Sequence, residues 1–217
     1  MYRIASSGLL FVVFTAFVGT ADGATLAYNG FEGDPGELPY VTSVSDNAQG
    51  QIIVQSNPPV FAGTQSLMFD KQTDQPQIDF SAVFDQVDIS QFINVALNIQ
   101  WHPNINDNNY EPQDSLTFTI NHDGTGGPIV LNFDSTDLNT ARDGTSTDEW
   151  QDLLVNVPDD ATMLDFTIAA NFNAENEDMF FDQLVITGTA VPEPASIVLW
   201  SLLGVIGLGY SLRRWYR

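Results

Sequence analysis

The sequence predicts an all-β domain, built as a two-sheet antiparallel β-sandwich, and three observations predict it. Apolar residues alternate with polar ones at a period of two: across 115–121, Leu116, Phe118 and Ile120 face one way and Ser115, Thr117, Thr119 and Asn121 the other. Turn chemistry punctuates these runs, as Asn29-Gly30, Asp34-Pro35-Gly36, Asn57-Pro58-Pro59, Asp123-Gly124, Gly126-Gly127-Pro128 and Asp143-Gly144. No stretch of the body reads as a capped helix with a 3.6-residue period.

In chain order, the first segment is an export signal. Arg3 supplies a positive start, Gly8 to Val18 is an apolar core of 11 residues, and small residues follow from Gly19 to Ala24. This pattern is a signal peptide over 1–24, too short in its apolar part to be a membrane span. The body, 25–190, holds ten expected strands at 25–31, 51–55, 66–70, 77–84, 92–101, 115–121, 128–134, 150–157, 163–172 and 179–187. So many short strands in that length argue for a sandwich. Trp150 opens one of them and reads as packing between sheets.

The last segment, 191–217, has three parts. Val191-Pro192-Glu193-Pro194 is followed by an 18-residue apolar run over 195–212 and by a basic end, 213–217, with Arg213, Arg214 and Arg217. Eighteen apolar residues suffice for a transmembrane helix, and the arginines, acting as a stop-transfer signal, keep the C-terminus cytoplasmic. The body would then lie outside.

Charge narrows the function. The chain has 28 acidic and six basic residues. With the two end segments set aside, the body keeps 26 acids against Lys71 and Arg142, a net charge of about −24. Phosphate binding needs Lys or Arg, so nucleic acid is excluded as a partner. Such a surface suits an ionic exterior, or Ca²⁺ held through carboxylates. The absence of cysteine rules out disulfides and thiolate zinc sites.

The motif, apolar run and arginines in that order resemble the C-terminal sorting signal of PEP-CTERM proteins. These are exported proteins of Gram-negative bacteria handled by exosortase, a membrane-embedded cysteine transpeptidase. The resemblance covers about the last 27 residues. It implies cleavage near Val191-Pro192-Glu193-Pro194, exosortase as processing partner, delivery to the cell envelope or extracellular matrix, and company with exopolysaccharide and biofilm.

Within the body, Asn29-Gly30-Phe31-Glu32, Phe61-Ala62-Gly63-Thr64-Gln65-Ser66-Leu67 and Met179-Phe180-Phe181-Asp182-Gln183-Leu184-Val185-Ile186 resemble jelly-roll carbohydrate-binding modules and related galactose-binding-like domains. The resemblance implies a jelly-roll-like sandwich whose first and last strands lie side by side. It also implies a structural Ca²⁺ shared by Glu32 and Asp182; since Ca²⁺ takes about 6–8 oxygens, loop carbonyls and a third acid such as Glu37 or Asp70 could complete its shell.

The loop Pro103-Asn104-Ile105-Asn106-Asp107-Asn108-Asn109-Tyr110-Glu111 fails as an EF-hand, because Asn109 stands where a glycine is needed and Ser115 where the closing glutamate belongs. It is a surface loop whose Trp101 and Tyr110 would stack on sugar rings while Asn106 and Asn108 pair with hydroxyls. His102 and His122 are the only histidines, and neither accompanies a nucleophile motif. No catalytic residue is assigned. The reading is therefore an exported, non-enzymatic envelope or matrix protein that associates with extracellular polysaccharide. A structural or adhesive biofilm-matrix protein without a ligand pocket is the alternative, and a secreted glycoside hydrolase a further one.

Overall fold

The computed structural model describes residues 23–46, 49–56, 59–72, 77–103, 110–143, 150–175, 177–191 and 201–207. Its eleven strands form two antiparallel sheets face to face. One sheet contains β1 (Ala24–Asn29), β3 (Gly50–Gln55), β4 (Ser66–Lys71), β6 (Phe92–Pro103), β9 (Gln151–Asn156) and β11 (Met179–Ala190). Its order is β3-β4-β11-β6-β9, with β1 also on β11. The other contains β2 (Tyr40–Val44), β5 (Ile78–Asp88), β7 (Ser115–His122), β8 (Ile129–Asp134) and β10 (Met163–Phe172), in the order β2-β5-β10-β7-β8.

The period of two sets which side chains meet between the sheets. On β10, Leu164, Phe166, Ile168, Ala170 and Phe172 are buried, while the residues between them are only partly so. A row of phenylalanines joins the two inner faces. Phe69 stacks on Phe80 at 5.6 Å and meets Phe181 edge-on at 4.9 Å, Phe181 meets Phe118 at 6.2 Å, and Phe118 stacks on Phe166 at 6.0 Å. Such pairs add about 0.5–1.5 kcal/mol each beyond the area they bury.

The expected adjacency of first and last strands holds: Tyr28 pairs with Val185 and Asn29 with Leu184. Two elements differ from expectation. Tyr40–Val44 is a strand, although its middle residues Val41, Thr42 and Ser43 are exposed. It is an edge strand on β5 and lacks the alternation that marks half-buried strands. The second difference is a helix, α1 (Ser135–Asp143), where none was expected. Asp134 Oδ1 accepts the backbone N–H groups of Thr136 (2.8 Å) and Asp137 (3.1 Å), and Asp137 Oδ2 accepts that of Asp134 at 3.3 Å. That reciprocal pair is a capping box. The helix buries Leu138 and only part of Ala141, so it carries no apolar stripe for a periodicity reading to find.

Of the expected signal peptide over 1–24, residues 1–22 lie outside the described residues, as do Pro192, Glu193, Pro194, Arg213, Arg214 and Arg217. Val191 is exposed and its N–H donates to the Gln91 carbonyl at 2.8 Å. Residues 201–207 are helical, and no helix among the described residues is long and apolar enough to cross a membrane.

Candidate functional site

The outer face of the six-stranded sheet is partly covered by the 59–65 segment that links β3 to β4, and two carboxylates hold that segment down. Asp182 lies on β11 at a register shift, and Gln183 beside it takes a left-handed φ of 52°. Asp182 is fully buried; its Oδ2 accepts the N–H groups of Phe61 and Ala62, each at 3.0 Å, and its Oδ1 that of Gln183 at 2.7 Å. Burial pushes its carboxyl above the usual range, and the nearby charge of Glu32 adds to that.

Glu32 follows β1. Its Oε1 accepts from the backbones of Thr64 (2.6 Å) and Gln65 (2.8 Å), and its Oε2 from the Thr64 hydroxyl at 2.6 Å. These bonds hold its carboxyl below the usual range. Local chemistry sets its position. The Asn29 side chain accepts the N–H of Phe31 at 2.7 Å and donates to the Leu38 carbonyl at 2.8 Å. Phe31 is thereby fixed at φ 59° and buried. For a bulky side chain this conformation costs about 1–3 kcal/mol, which its packing against Tyr40 and Phe84 must offset. Glu37 serves the same turn, accepting the N–H groups of Gly30, Glu32 and Gly33 at 3.0–3.1 Å.

Glu32 and Asp182 are thus brought together as expected, but all four of their oxygens take N–H or O–H donors. Donors from the loop thus offset part of the charge of this pair. Asp70, named as a further ligand, instead accepts the side chains of Gln51 and Gln72 on its own surface.

Aromatic rings gather beside this loop. Phe61, 47% exposed, meets the partly exposed Trp150 edge-on at 5.8 Å. Trp150 lies 5.5 Å from the buried His102 ring, which in turn lies 6.2 Å from Phe180. His102 and Phe180 are cross-strand partners, and Gln100 with Asp182 is the next pair on that face. Gln100 also faces Asp152, whose Oδ1 accepts the amides of Asn98 (2.6 Å) and Gln100 (2.8 Å). The result is an apolar ring surface bordered by carboxamides and one exposed carboxylate. Hydroxyl-bearing rings need that combination, with a flat apolar face below and directional polar groups at the edge.

The aromatic residues expected to do this are elsewhere. Trp101 is 3% exposed, on the inner face against Phe133 (5.3 Å) and Phe118 (6.4 Å). Tyr110 is 4% exposed; its hydroxyl donates to the Asp178 carbonyl at 3.0 Å, and its main chain is clasped by the Asn139 side chain. Neither ring has a face for a sugar. Parity explains Trp101, because it alternates with Gln100 and His102, and the core claims the odd-numbered set of Val95, Leu97 and Ile99. Asn106 and Asn108 lie outside the described residues. Phe61 was missed as a site residue because it sits in a loop with no period, and Trp150 because a strand-opening Trp reads as core.

The outer face of the five-stranded sheet carries no such surface. Its described outward positions include Asp79, Ser81 and Val83 on β5, Thr117 and Thr119 on β7, Asp165, Thr167 and Asn171 on β10, and Asn132 on β8, none of them aromatic.

No family model matches the chain, and no curated protein sequence matches it. Solved structures resemble the chain at low identity, each with a TM-score under 0.5. The chain is similar to TmCBM61 in its complex with β-1,4-galactotriose, at 16% identity and TM-score 0.47, with 68% of this chain and 87% of that one covered. It is similar to the C-terminal family 22 carbohydrate-binding module of Clostridium thermocellum Xyn10B, at 13% identity and TM-score 0.42, over 76% of this chain and 94% of that one. It is also similar to part of the glycoside hydrolase domain of Endo-D from Streptococcus pneumoniae R6, at 11% identity and TM-score 0.46; 70% of this chain is covered, and it spans 22% of that one.

Proposed function

We propose that this domain binds extracellular polysaccharide without catalysis, on the outer face of its six-stranded sheet. The observation that carries the proposal is the Phe61–Trp150 surface beside Asn98, Gln100 and Asp152. Phe61 and Trp150 supply the apolar platform, the carboxamides and Asp152 pair with hydroxyls, and the Glu32 and Asp182 bonds hold Phe61 in place. Among the described residues, Glu111, Asp114 and Glu177 bring three carboxylates together, and Asp114 and Glu177 are within 2% of full burial, away from any open surface for a substrate. The C-terminal segment 191–217 supports the rest of the reading, in which exosortase processes the chain at the envelope.

The test is calorimetric titration of the full-length chain with soluble β-glucans, xylan and galactan, followed by the variants Trp150→Ala and Phe61→Ala. Each substitution is expected to weaken binding about tenfold, equivalent to about 1.4 kcal/mol. Binding that both variants leave unchanged, or no binding to any glycan, would remove the proposal and leave the adhesive-matrix alternative.

A further inference from the structure

A second group of acids lies at the end of the sandwich where β10 hands over to β11. Glu111 and Asp114 belong to the turn that enters β7, and Glu177 to the 173–178 segment after β10. Each of the three places a carboxylate oxygen within 4.8 Å of the others. Asp114 is 1% exposed and Glu177 2%. One oxygen of each is committed to the main chain: Asp114 Oδ2 accepts the Glu111 N–H, and Glu177 Oε2 accepts those of Asn173 (2.9 Å) and Ala174 (2.7 Å).

The other oxygens have no donor. Asp114 Oδ1, Glu177 Oε1 and Glu111 Oε2 are buried without a hydrogen-bond partner. So is the Oδ1 of Asn173, a residue 3% exposed whose main-chain N–H bonds Glu177. Donorless buried oxygens of this kind are costly, because each loses its water without replacement. Three carboxylates among them add repulsion. Burial raises the Asp114 carboxyl, and burial, a side-chain contact with the Asp114 carboxyl and then its charge raise that of Glu177 to about 8. The group needs positive charge, as a proton or as a metal ion.

We propose that Glu111, Asp114 and Glu177 form a Ca²⁺ site that clips Glu177, after β10, to the turn before β7. The donor set is all oxygen, which suits a hard cation and not zinc. Oxygens bound to one Ca²⁺ at 2.3–2.6 Å lie up to about 5 Å apart, so a spacing within 4.8 Å lets one ion bridge the three carboxylates with at most a small closure. Mg²⁺, at 2.0–2.1 Å, would need them closer or would keep water between. At the Glu32–Asp182 pair, by contrast, every carboxylate oxygen accepts at least one hydrogen bond. The inference rests on none of the glycan reading.

The experiment uses the full-length chain stripped with EDTA and a chelating resin, with Ca²⁺ alone as ligand. Thermal unfolding and calorimetry are followed for the wild type, Glu177→Gln, Asp114→Asn and Asp182→Asn. Ca²⁺ is expected to raise the wild-type Tm, since a ligand of the folded state stabilises it. Glu177→Gln and Asp114→Asn should each weaken Ca²⁺ binding at least tenfold, while Asp182→Asn should retain it. Glu177→Gln keeps the side-chain shape and removes a buried charge, so the variant should fold and be at least as stable as the wild type in EDTA. Terbium emission excited through Tyr110, next to Glu111 in the chain, gives a second readout that should vanish in Glu177→Gln. Absence of any Ca²⁺ effect on the wild type at millimolar concentration would overturn the site and leave a shared proton in its place. Binding lost in Asp182→Asn but kept in Glu177→Gln would overturn it as well.

Discussion

Gly63 stands directly against Glu32: a Cβ added to the glycine would lie 2.2 Å from Glu32 Oε1, and the residue's φ is +77°. Both facts demand glycine there. The close approach lets Glu32 reach the N–H groups of Thr64 and Gln65, and the left-handed backbone turns those groups toward it. Gly63→Ala should displace Glu32 and cost at least about 1 kcal/mol. For a domain of this size that is a fall in Tm of roughly 2–4 °C, measurable by calorimetry. An unchanged Tm would show that the loop does not depend on the contact.

Asp182 should matter more, because it is buried and serves three N–H groups. Asp182→Ala leaves those of Phe61, Ala62 and Gln183 without their acceptor, each worth about 1–3 kcal/mol if it stays dry. The 59–65 segment should then detach at its Phe61 end. Hydrogen exchange at Phe61 and Ala62 should accelerate well before that of β4 and β11; uniform protection across all three would contradict this.

Asp123 gives the domain an acid limb. Its carboxylate accepts the N–H groups of Thr162 (2.7 Å) and Met163 (3.0 Å) and the Thr162 hydroxyl at 2.5 Å, and these bonds hold its pKa at about 2 against an ordinary 3.8. A carboxyl lowered by folding contributes stability above the unfolded value, and that contribution is lost as pH falls through the folded one. Urea midpoints should therefore decline between about pH 4 and 2. In Asp123→Asn the decline should be shallower, since asparagine has no charge to lose. Equal slopes for the two proteins would refute the assignment.

Tyr110 separates the buried aromatic residues from the exposed pair. Tyr110→Phe removes the hydrogen bond to the Asp178 carbonyl and should cost about 1 kcal/mol of stability while leaving glycan affinity unchanged. Titration of this variant beside Trp150→Ala checks it; weakened binding in Tyr110→Phe would return the ligand to the 103–111 loop.

The sandwich was legible because alternation is physics that a sequence must display. Eight of the ten expected strands match the observed ones to within a residue or two at each end; 77–84 stops short because β5 runs on to Asp88 through a register shift near Phe166, and 179–187 because β11 runs on to Ala190 through a shift between Thr187 and Thr189. What escaped lacked that signature. Tyr40–Val44 is exposed along its middle, and α1 buries one leucine, although its capping residues, Asp134-Ser135-Thr136-Asp137, stood in plain view. The site was harder. Glu32 and Asp182 follow from the resemblance at the two ends of the chain. Phe61 depends on a loop fold, and Trp101 on which parity of β6 the core takes. Glu111, Asp114 and Glu177 are more than sixty residues apart at the extremes, and among 28 acids only the register of β7 with β10, pairing Ser115 with Asn171, brings them together.

The placement of β11 has a mechanical consequence. It is hydrogen-bonded to β6 on one flank and to β4 and then β1 on the other. Tension applied to the chain beyond Ala190 thus runs along a strand gripped from both sides. Its bonds must yield together under shear, where an edge strand would unzip one bond at a time. A body tethered through its C-terminal segment, pulled by whatever its outer face has grasped, would carry that load on the best-supported strand it has.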